Sequence, residues 1–277
     1  MGLRISTNVA AINAQRVMST NTREMQKSMA QLSTGSRITK AGDDAAGLAI
    51  SENLKSTIRS YGQASRNAND GISMIQTAEQ SMSEVSNILT RVRELGIQAS
   101  SDTVGDQERG FIQKEVDALK SEIQRVAEST TFGSRKLLDG SGGVYDIHVG
   151  TSANAKTDWI GYDAASTNVT TGALGIDGLD FTSKQGARDG LSSLDSAQLT
   201  VNGSRANLGA LQNRLTSAVD VIGTMSESMS AANSRIRDAD IAASSSDLAR
   251  NNVLLQGTTA VLAQANQQPQ LALKLLG

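Results

Sequence analysis

Residues 44–100 read DAAGLAISENLKSTIRSYGQASRNANDGISMIQTAEQSMSEVSNILTRVRELGIQAS. Within this stretch Ile50, Leu54, Ile58, Tyr61, Ala64, Ala68, Ile72, Ile75, Ala78, Met82, Val85, Leu89, Val92 and Leu95 follow one another at intervals of three or four. Fourteen apolar positions over 45 residues give about 3.5 residues per step, the heptad period of a helix packed lengthwise against other helices. No proline interrupts the run. A helix covering this seam is roughly 68 Å long at about 1.5 Å per residue, and its single apolar stripe requires partners.

On the N-terminal side, Ser36 to Asp43 reads as a connector, and Asp43 or Asp44 can cap the long helix by accepting from its unpaired N–H groups. Before it, Ile5, Val9 and Ile12 stand at helical spacing, and the pattern resumes at Met18, Met25, Met29 and Leu32. This predicts an amphipathic helix stopping near Gly35. On the C-terminal side, Asp102 to Asp106 supplies a turn and a cap. Ile112, Val116, Leu119, Ile123 and Val126 then predict a second helix folding back on the first as an antiparallel neighbour.

From Phe132 to Gly190 the texture turns to Gly, Ser, Thr, Asn and Asp. Tyr145, Ile147 and Val149 alternate with Asp146 and His148 as a half-buried strand does, and Lys136 to Leu138, Trp159 to Tyr162 and Leu179 to Thr182 are weaker strand candidates. Helical spacing returns from Leu191 to Ile236 over the same 45-residue span, with Gln198 and Arg205 diluting the stripe. Finally Ile241, Leu248, Leu255 and Leu262 recur every seventh residue until Pro269 stops the series. The expected fold is mainly α: a long antiparallel helical bundle or coiled coil formed by the N- and C-terminal halves, with a small central β-hairpin region. Residues 1–42 plus 238–277 would form an inner helical pair, 43–131 plus 186–237 a long-helix bundle, and 132–185 a short hairpin and loop region. The terminal helices have few seam residues each, so their natural partners are other copies of the chain.

Composition narrows the chemistry. Aromatics are only 3%, so a core must come from Leu, Ile, Val, Met and Ala, which suits interlocking helices. With 26 basic and 28 acidic residues and no dense Lys/Arg run, nothing favours nucleic acid or an anionic membrane. No stretch reaches membrane-spanning length, and no cleavable secretory pattern opens the chain. There is no cysteine, and the lone His148 can supply neither a multi-histidine metal cluster nor, without a nucleophile motif beside it, a catalytic pair. Asp43 with Asp44, and Asp238 with Asp240, fit helix caps better than paired catalytic carboxylates. Gly140, Gly142 and Gly143 lack phosphate-loop spacing and read as a turn. No catalytic activity, cofactor or metal is expected.

Several longer motifs then carry a resemblance. Leu32 to Gly35 (LSTG), Asp43 to Ser51 (DDAAGLAIS), Ala68 to Ser73 (ANDGIS) and Arg91 to Leu95 (RVREL) occur in order in the first half. Leu208 to Leu215 (LGALQNRL), Ser234 to Asp240 (SRIRDAD) and Val261 to Asn266 (VLAQAN) follow in the second. Together they resemble bacterial flagellins over nearly the entire chain. The resemblance implies a subunit that polymerises with itself into the helical flagellar filament for swimming motility. It further implies export through the flagellar apparatus, a secretion chaperone on the C-terminal segment Ile241 to Leu276, and contacts with filament cap and hook-junction proteins. The location implied is extracellular, on a flagellum that is bare, sheathed or periplasmic. The inner assembly seam would be Ile5, Val9, Ile12, Met18, Met25, Met29, Leu32, Ile241, Leu248, Leu255 and Leu262. Some flagellins are recognised by Toll-like receptor 5 through the RVREL region, and the matching positions are Arg91, Leu95, Gln98 and Glu115. An ordinary subunit contact there is an equal reading. Thr90 and Gly96 depart from the commonest receptor-active pattern, Gly96 being expected to loosen the surface locally. The short middle region predicts a thin, smooth filament. A hook-filament junction protein and a soluble helical scaffold or adaptor stand as alternatives.

Overall fold

The structure is a computed structural model describing residues 7–154 and 156–276, with side chains through residue 267. Ile5 lies outside the described residues. The helices are α1 (Val9–Thr34), α2 (Ala45–Ala99), α3 (Asp106–Ser129), α4 (Lys184–Arg237) and α5 (Ile241–Leu276). Four short strands, β1 (Thr131–Phe132), β2 (Arg135–Lys136), β3 (Val144–His148) and β4 (Trp159–Asp163), lie between α3 and α4. The chain gathers into two compact units, one of the described residues up to Ser56 and from Ser228 onward, the other Thr57–Glu227.

In the first unit α1 packs along α5. The Asn8 side chain accepts from the Ala11 N–H at 3.1 Å, capping α1, and donates to the Ala265 carbonyl at 2.8 Å. At the other end Gly35, with φ 67°, takes the left-handed turn that a Cβ disfavours and closes α1 as its sequence predicts. Ser36 there forms an antiparallel bridge with Asp238, ahead of the first turn of α5. The start of α1 thus meets the later part of α5 and its end meets the beginning of α5, so the pair is antiparallel. α5 continues through Pro269 to Leu276 rather than ending there. Proline's fixed φ is itself helical, and its ring removes one N–H donor without forbidding the turns that follow.

The two aspartates at the head of α2 divide their work. Asp44 Oδ1 accepts from the Gly47 N–H at 2.8 Å and caps the helix. Asp43 Oδ2 instead accepts from the N–H groups of Thr39 and Lys40 and the Thr39 hydroxyl, fixing the connector. These donors hold the Asp43 carboxyl below the usual aspartate range. Asp240 caps α5 through the N–H groups of Ala242 and Ala243.

In the second unit the predicted seam of α2 is buried at Ala64, Ala68, Ile75, Ala78, Met82, Val85, Leu89, Val92 and Leu95. Leu194, Val201, Leu208, Leu215 and Ile222 of α4 complete it, and Ile112, Val116, Ile123 and Val126 of α3 add a third face. Arg93 meets Asp195 at 2.8 Å, Gln198 donates to Ser86 at 2.6 Å, and Arg205 pairs with Glu79 at 2.8 Å. Rising numbers on one helix meet falling numbers on the other, so α2 and α4 are antiparallel here. Gln198 and Arg205, which weaken the stripe in sequence, are interhelical polar contacts. Ile50, at the head of the predicted seam, is exposed in the first unit.

Strands β1 and β2 close a tight hairpin over Gly133, whose φ is 62°. β3 and β4 pair antiparallel from Val144↔Asp163 to His148↔Trp159. This second hairpin seats Ile147 over Gly71 of α2, where a Cβ would lie 2.5 Å from Ile147 Cδ1, and Asn67 donates to the His148 carbonyl at 3.1 Å. Of the weaker strand candidates, Trp159 to Tyr162 is strand, while Lys136 to Leu138 pairs only at Lys136. Leu179 to Thr182 is not strand. It belongs to a strap over residues 169–181 whose backbone is met by side chains of α3. Gln124 accepts from the Thr171 N–H, Lys120 donates to the Asp177 carbonyl, and Gln113 accepts from the Phe181 N–H. With its polar backbone satisfied this way, the strap buries Val169, Leu174, Ile176, Leu179 and Phe181 without a second strand.

Candidate assembly surface

The helix pair of the first unit turns two unlike faces outward and inward. Its inward face carries small or polar residues among larger ones: Ala14, Ser28, Ser244 and Ala265 are buried, and Met18, Met25, Leu32, Leu248, Leu255 and Leu262 are half-buried. The other predicted seam residues stand elsewhere. Val9 is 66% exposed and Ile12 59%, and Met29 and Ile241 are also mostly exposed. Val17 of α1 and Val253, Leu254 and Val261 of α5 join them outside. The predicted set therefore separates into one group lining the α1–α5 contact and another left uncovered by this chain. Heptad reading alone missed Val17, Val253, Leu254 and Val261, which lie off the seam positions. Their signal in the sequence is the breadth of apolar character around the helices, too wide for a single partner.

The two connectors are joined to each other. The Arg37 N–H donates to the Arg237 carbonyl at 2.6 Å and the Ala239 N–H to the Gly35 carbonyl at 2.9 Å. The Arg37 guanidinium adds two donations to the Ile236 carbonyl, at 3.2 and 2.8 Å, satisfying an end of α4 that has no further turn to receive it. Nearby, the fully buried Ser51 hydroxyl donates to Asn233 Oδ1 at 2.8 Å, and Arg237 pairs with Glu52.

In the second unit, Arg91 donates to Glu115 of α3 at 3.0 Å and to Glu94 at 3.1 Å. The Glu115 bond, first, raises the guanidinium's proton affinity. Gln98 is exposed beside them in sequence, but Leu95 is 3% exposed and belongs to the core. Gly96 is likewise interior. A Cβ there would come within 3.1 Å of Leu191 Cδ2 and 3.2 Å of Phe181 Cζ, so this glycine admits close packing and does not loosen the surface. At the α2–α3 turn, the buried Arg109 donates to the Ala99 and Ser101 carbonyls at 2.9 and 3.0 Å and pairs with Asp106. His148 bonds the Ser152 carbonyl at 2.8 Å and meets Trp159 edge-on. Among the described residues no His, Cys, Asp or Glu group could hold a metal ion, and no helix is long and apolar enough to cross a membrane.

A chain that pairs its terminal helices antiparallel and leaves large apolar side chains uncovered on that pair is built as a structural subunit for other copies to cover. Comparison with known proteins gives the family. Residues 5–142 match the bacterial flagellin N-terminal helical region and residues 191–276 the bacterial flagellin C-terminal helical region. A flagellin from Halalkalibacterium halodurans is 41% identical over 98% of this chain and 99% of its own length. A 30.7 kDa flagellar filament core protein from Treponema maltophilum is 39% identical over 98% and 99%. The crystal structure of Bacillus cereus flagellin superposes with a TM-score of 0.50 at 28% identity, covering 56% of this chain and 88% of that one. The chain belongs to the bacterial flagellin family. It is a structural subunit of the flagellar filament, not an enzyme, and it polymerises with itself.

Proposed function

We propose that the first unit supplies the inner layer of the filament, through residues 1–42 and 238–277, and that the exposed apolar residues of α1 and α5 are where neighbouring copies dock. Residues 43–131 plus 186–237 would form the surrounding bundle, and 132–185 its small hairpin region. The observation that carries this is the uncovered group Val9, Ile12, Val17, Val253, Leu254 and Val261. Fully burying a large aliphatic side chain is worth roughly 1.5–3 kcal/mol, and these six, each already partly covered within the single chain, gain about half of that on assembly. The segment Ile241 to Leu276 carries three of the six, which suits a secretion chaperone that covers it before export through the flagellar apparatus. Filament cap and hook-junction proteins would meet the same faces at the ends of the polymer. The Arg91, Gln98 and Glu115 surface is available to a neighbouring copy, or to Toll-like receptor 5 on a free subunit; Leu95 would act only by supporting it from below. With no long insertion between β4 and α4, the filament is thin and smooth and lies outside the cell. The test is seeded growth: purified chain added to sheared filament fragments should elongate them, as seen by electron microscopy. A chain that stays monodisperse after seeding overturns the proposal.

A further inference from the structure

The α1–α5 contact has a seam that repeats itself. On α5, Leu248, Leu255 and Leu262 share one heptad position, and Ser244, Asn251 and Thr258 share another. On α1, Met18, Met25 and Leu32 match at one position, and Ala14, Asn21 and Ser28 at another. Sliding one helix by seven residues, about 10.5 Å at 1.5 Å per residue, therefore sets like against like. Such a seam specifies its face strongly and its register weakly. The exposed surface repeats only in part. In the observed register Asn8 reaches Ala265 and Gly35 reaches Ala239, which brings Ile12 of α1 level with Val261 of α5. A slip by one heptad in one direction replaces Val261 with the exposed Leu254 opposite Ile12, and in the other direction brings polar Gln268 there instead.

We propose that the clasp between the two connectors sets the register of α1 against α5, with Arg37 as its positioning residue. The clasp is placed for this, because it ties Gly35, the residue after the end of α1, to Ala239, two residues before the start of α5. Two features make it specific: the Ser36↔Asp238 bridge, made by the Arg37-to-Arg237 and Ala239-to-Gly35 backbone bonds, and the Arg37 guanidinium on the Ile236 carbonyl. Seven residues away these bonds would fall on helix backbone already paired with itself, or on residues 42–44, where Asp43 and Asp44 are already committed to Thr39, Lys40 and Gly47. The buried Ile38 anchors the same connector against Gly47, where a Cβ would lie 2.9 Å from Ile38 Cδ1. The clasp matters for assembly only insofar as the α1–α5 surface is where copies dock, but it fixes register whether or not they do.

The native chain has no cysteine, so paired reporters are clean. Ser28→Cys with Ser244→Cys reports the observed register, since both serines are buried and level across the pair. Ser28→Cys with Asn251→Cys, and Asn21→Cys with Ser244→Cys, report slips of one heptad in either direction. Mild oxidation of the full chain, alone and after seeding, should cross-link the first pair and not the other two. Combining Arg37→Ala with Ala239→Pro should raise the slipped products at least about tenfold relative to the native one, and Arg37→Lys, which keeps a donor, should largely restore the native ratio. An unchanged ratio overturns the proposal, as does slipped product with the clasp intact. Uniform loss of all three products also overturns it, because that marks a weakened pair rather than a slipped one. If the parent reporters never elongate seeds, the docking surface fails while the cross-link ratio still decides the register.

Discussion

The same substitution at two places on α2 should have opposite signs. Gly62 and Gly71 both lie inside the helix, where glycine is less favourable than alanine by about 0.8–1.0 kcal/mol. A Cβ at Gly62 would meet nothing within 4 Å, so Gly62→Ala should stabilise the second unit by close to that amount. A Cβ at Gly71 would fall 2.5 Å from Ile147 Cδ1 and 3.2 Å from both Ile147 Cγ1 and Cγ2. Rotation of one Ile147 torsion relieves the first contact but not the others, so β3 must lift from the helix and weaken the Asn67 bond to the His148 carbonyl. Overpacking of this kind costs about 1–3 kcal/mol. Set against the helix gain, Gly71→Ala should destabilise by about 1 kcal/mol, leaving the two variants about 2 kcal/mol apart. Urea unfolding followed by the fluorescence of Trp159, the only tryptophan and a residue of β4, reads the affected hairpin directly. If Gly71→Ala stabilises as much as Gly62→Ala, the close seating of the hairpin on α2 is wrong.

Three further outcomes follow from the same contacts. Leu255→Asp places a charge in the half-buried α1–α5 contact and should lower seeded elongation at least about tenfold while leaving the helical circular dichroism of the second unit intact. Arg109→Ala strips the Ala99 and Ser101 carbonyls of their buried donor and should cost about 2–3 kcal/mol in urea unfolding, whereas Arg91→Ala, which breaks an exposed pair, should leave the unfolding midpoint nearly unchanged. Asp43 has its carboxyl pKa lowered in the folded chain by the Lys40 and Thr39 donors. Its contribution to connector order is therefore complete above the ordinary aspartate pKa and lost as pH falls through the lowered folded value. Protection of the Thr39 and Lys40 amides, measured relative to their intrinsic exchange rates, should fall over that acid interval, and Asp43→Asn should remove that fall.

Much of the helical framework was legible because heptad spacing reports which face is buried. The buried run of α2 from Ala64 to Leu95 and the return of α4 through Leu194, Val201, Leu208 and Leu215 follow from it directly. Caps were legible too, since Asp44, Asp240 and Gly35 stand where a helix must begin or end. What spacing cannot show is which neighbour a polar residue meets. Gln198 and Arg205 look like flaws in a stripe until Ser86 and Glu79 come opposite, and Gln113 and Gln124 give no sign that they hold a strap's backbone. Gly96 reads as local weakness along the chain and Gly71 gives no signal at all, yet both are places where another element comes close. The clasp was hidden for a related reason: Arg37 acts on carbonyls about two hundred residues away. The assembly group was half legible. Val9 and Ile12 read along the chain as one assembly seam with Met18 and Leu255, and in the fold they stand exposed while Met18 and Leu255 are half-buried. A second apolar face, not a continuation of the first, is what separates them from Met18 and Leu255.

The central claim is that Ile12 and Val261, uncovered in the single chain, become covered when copies assemble. Ile12→Cys, Val261→Cys and, as an exposed control in the loop before β4, Asn154→Cys each place one thiol in a chain without any. The measurement is the rate of maleimide labelling of each, before and after seeded elongation. The account predicts that labelling at positions 12 and 261 falls at least about tenfold on assembly, as burial under a neighbour requires, while position 154 keeps its rate. Equal labelling of positions 12 and 261 in the free and assembled states would contradict it.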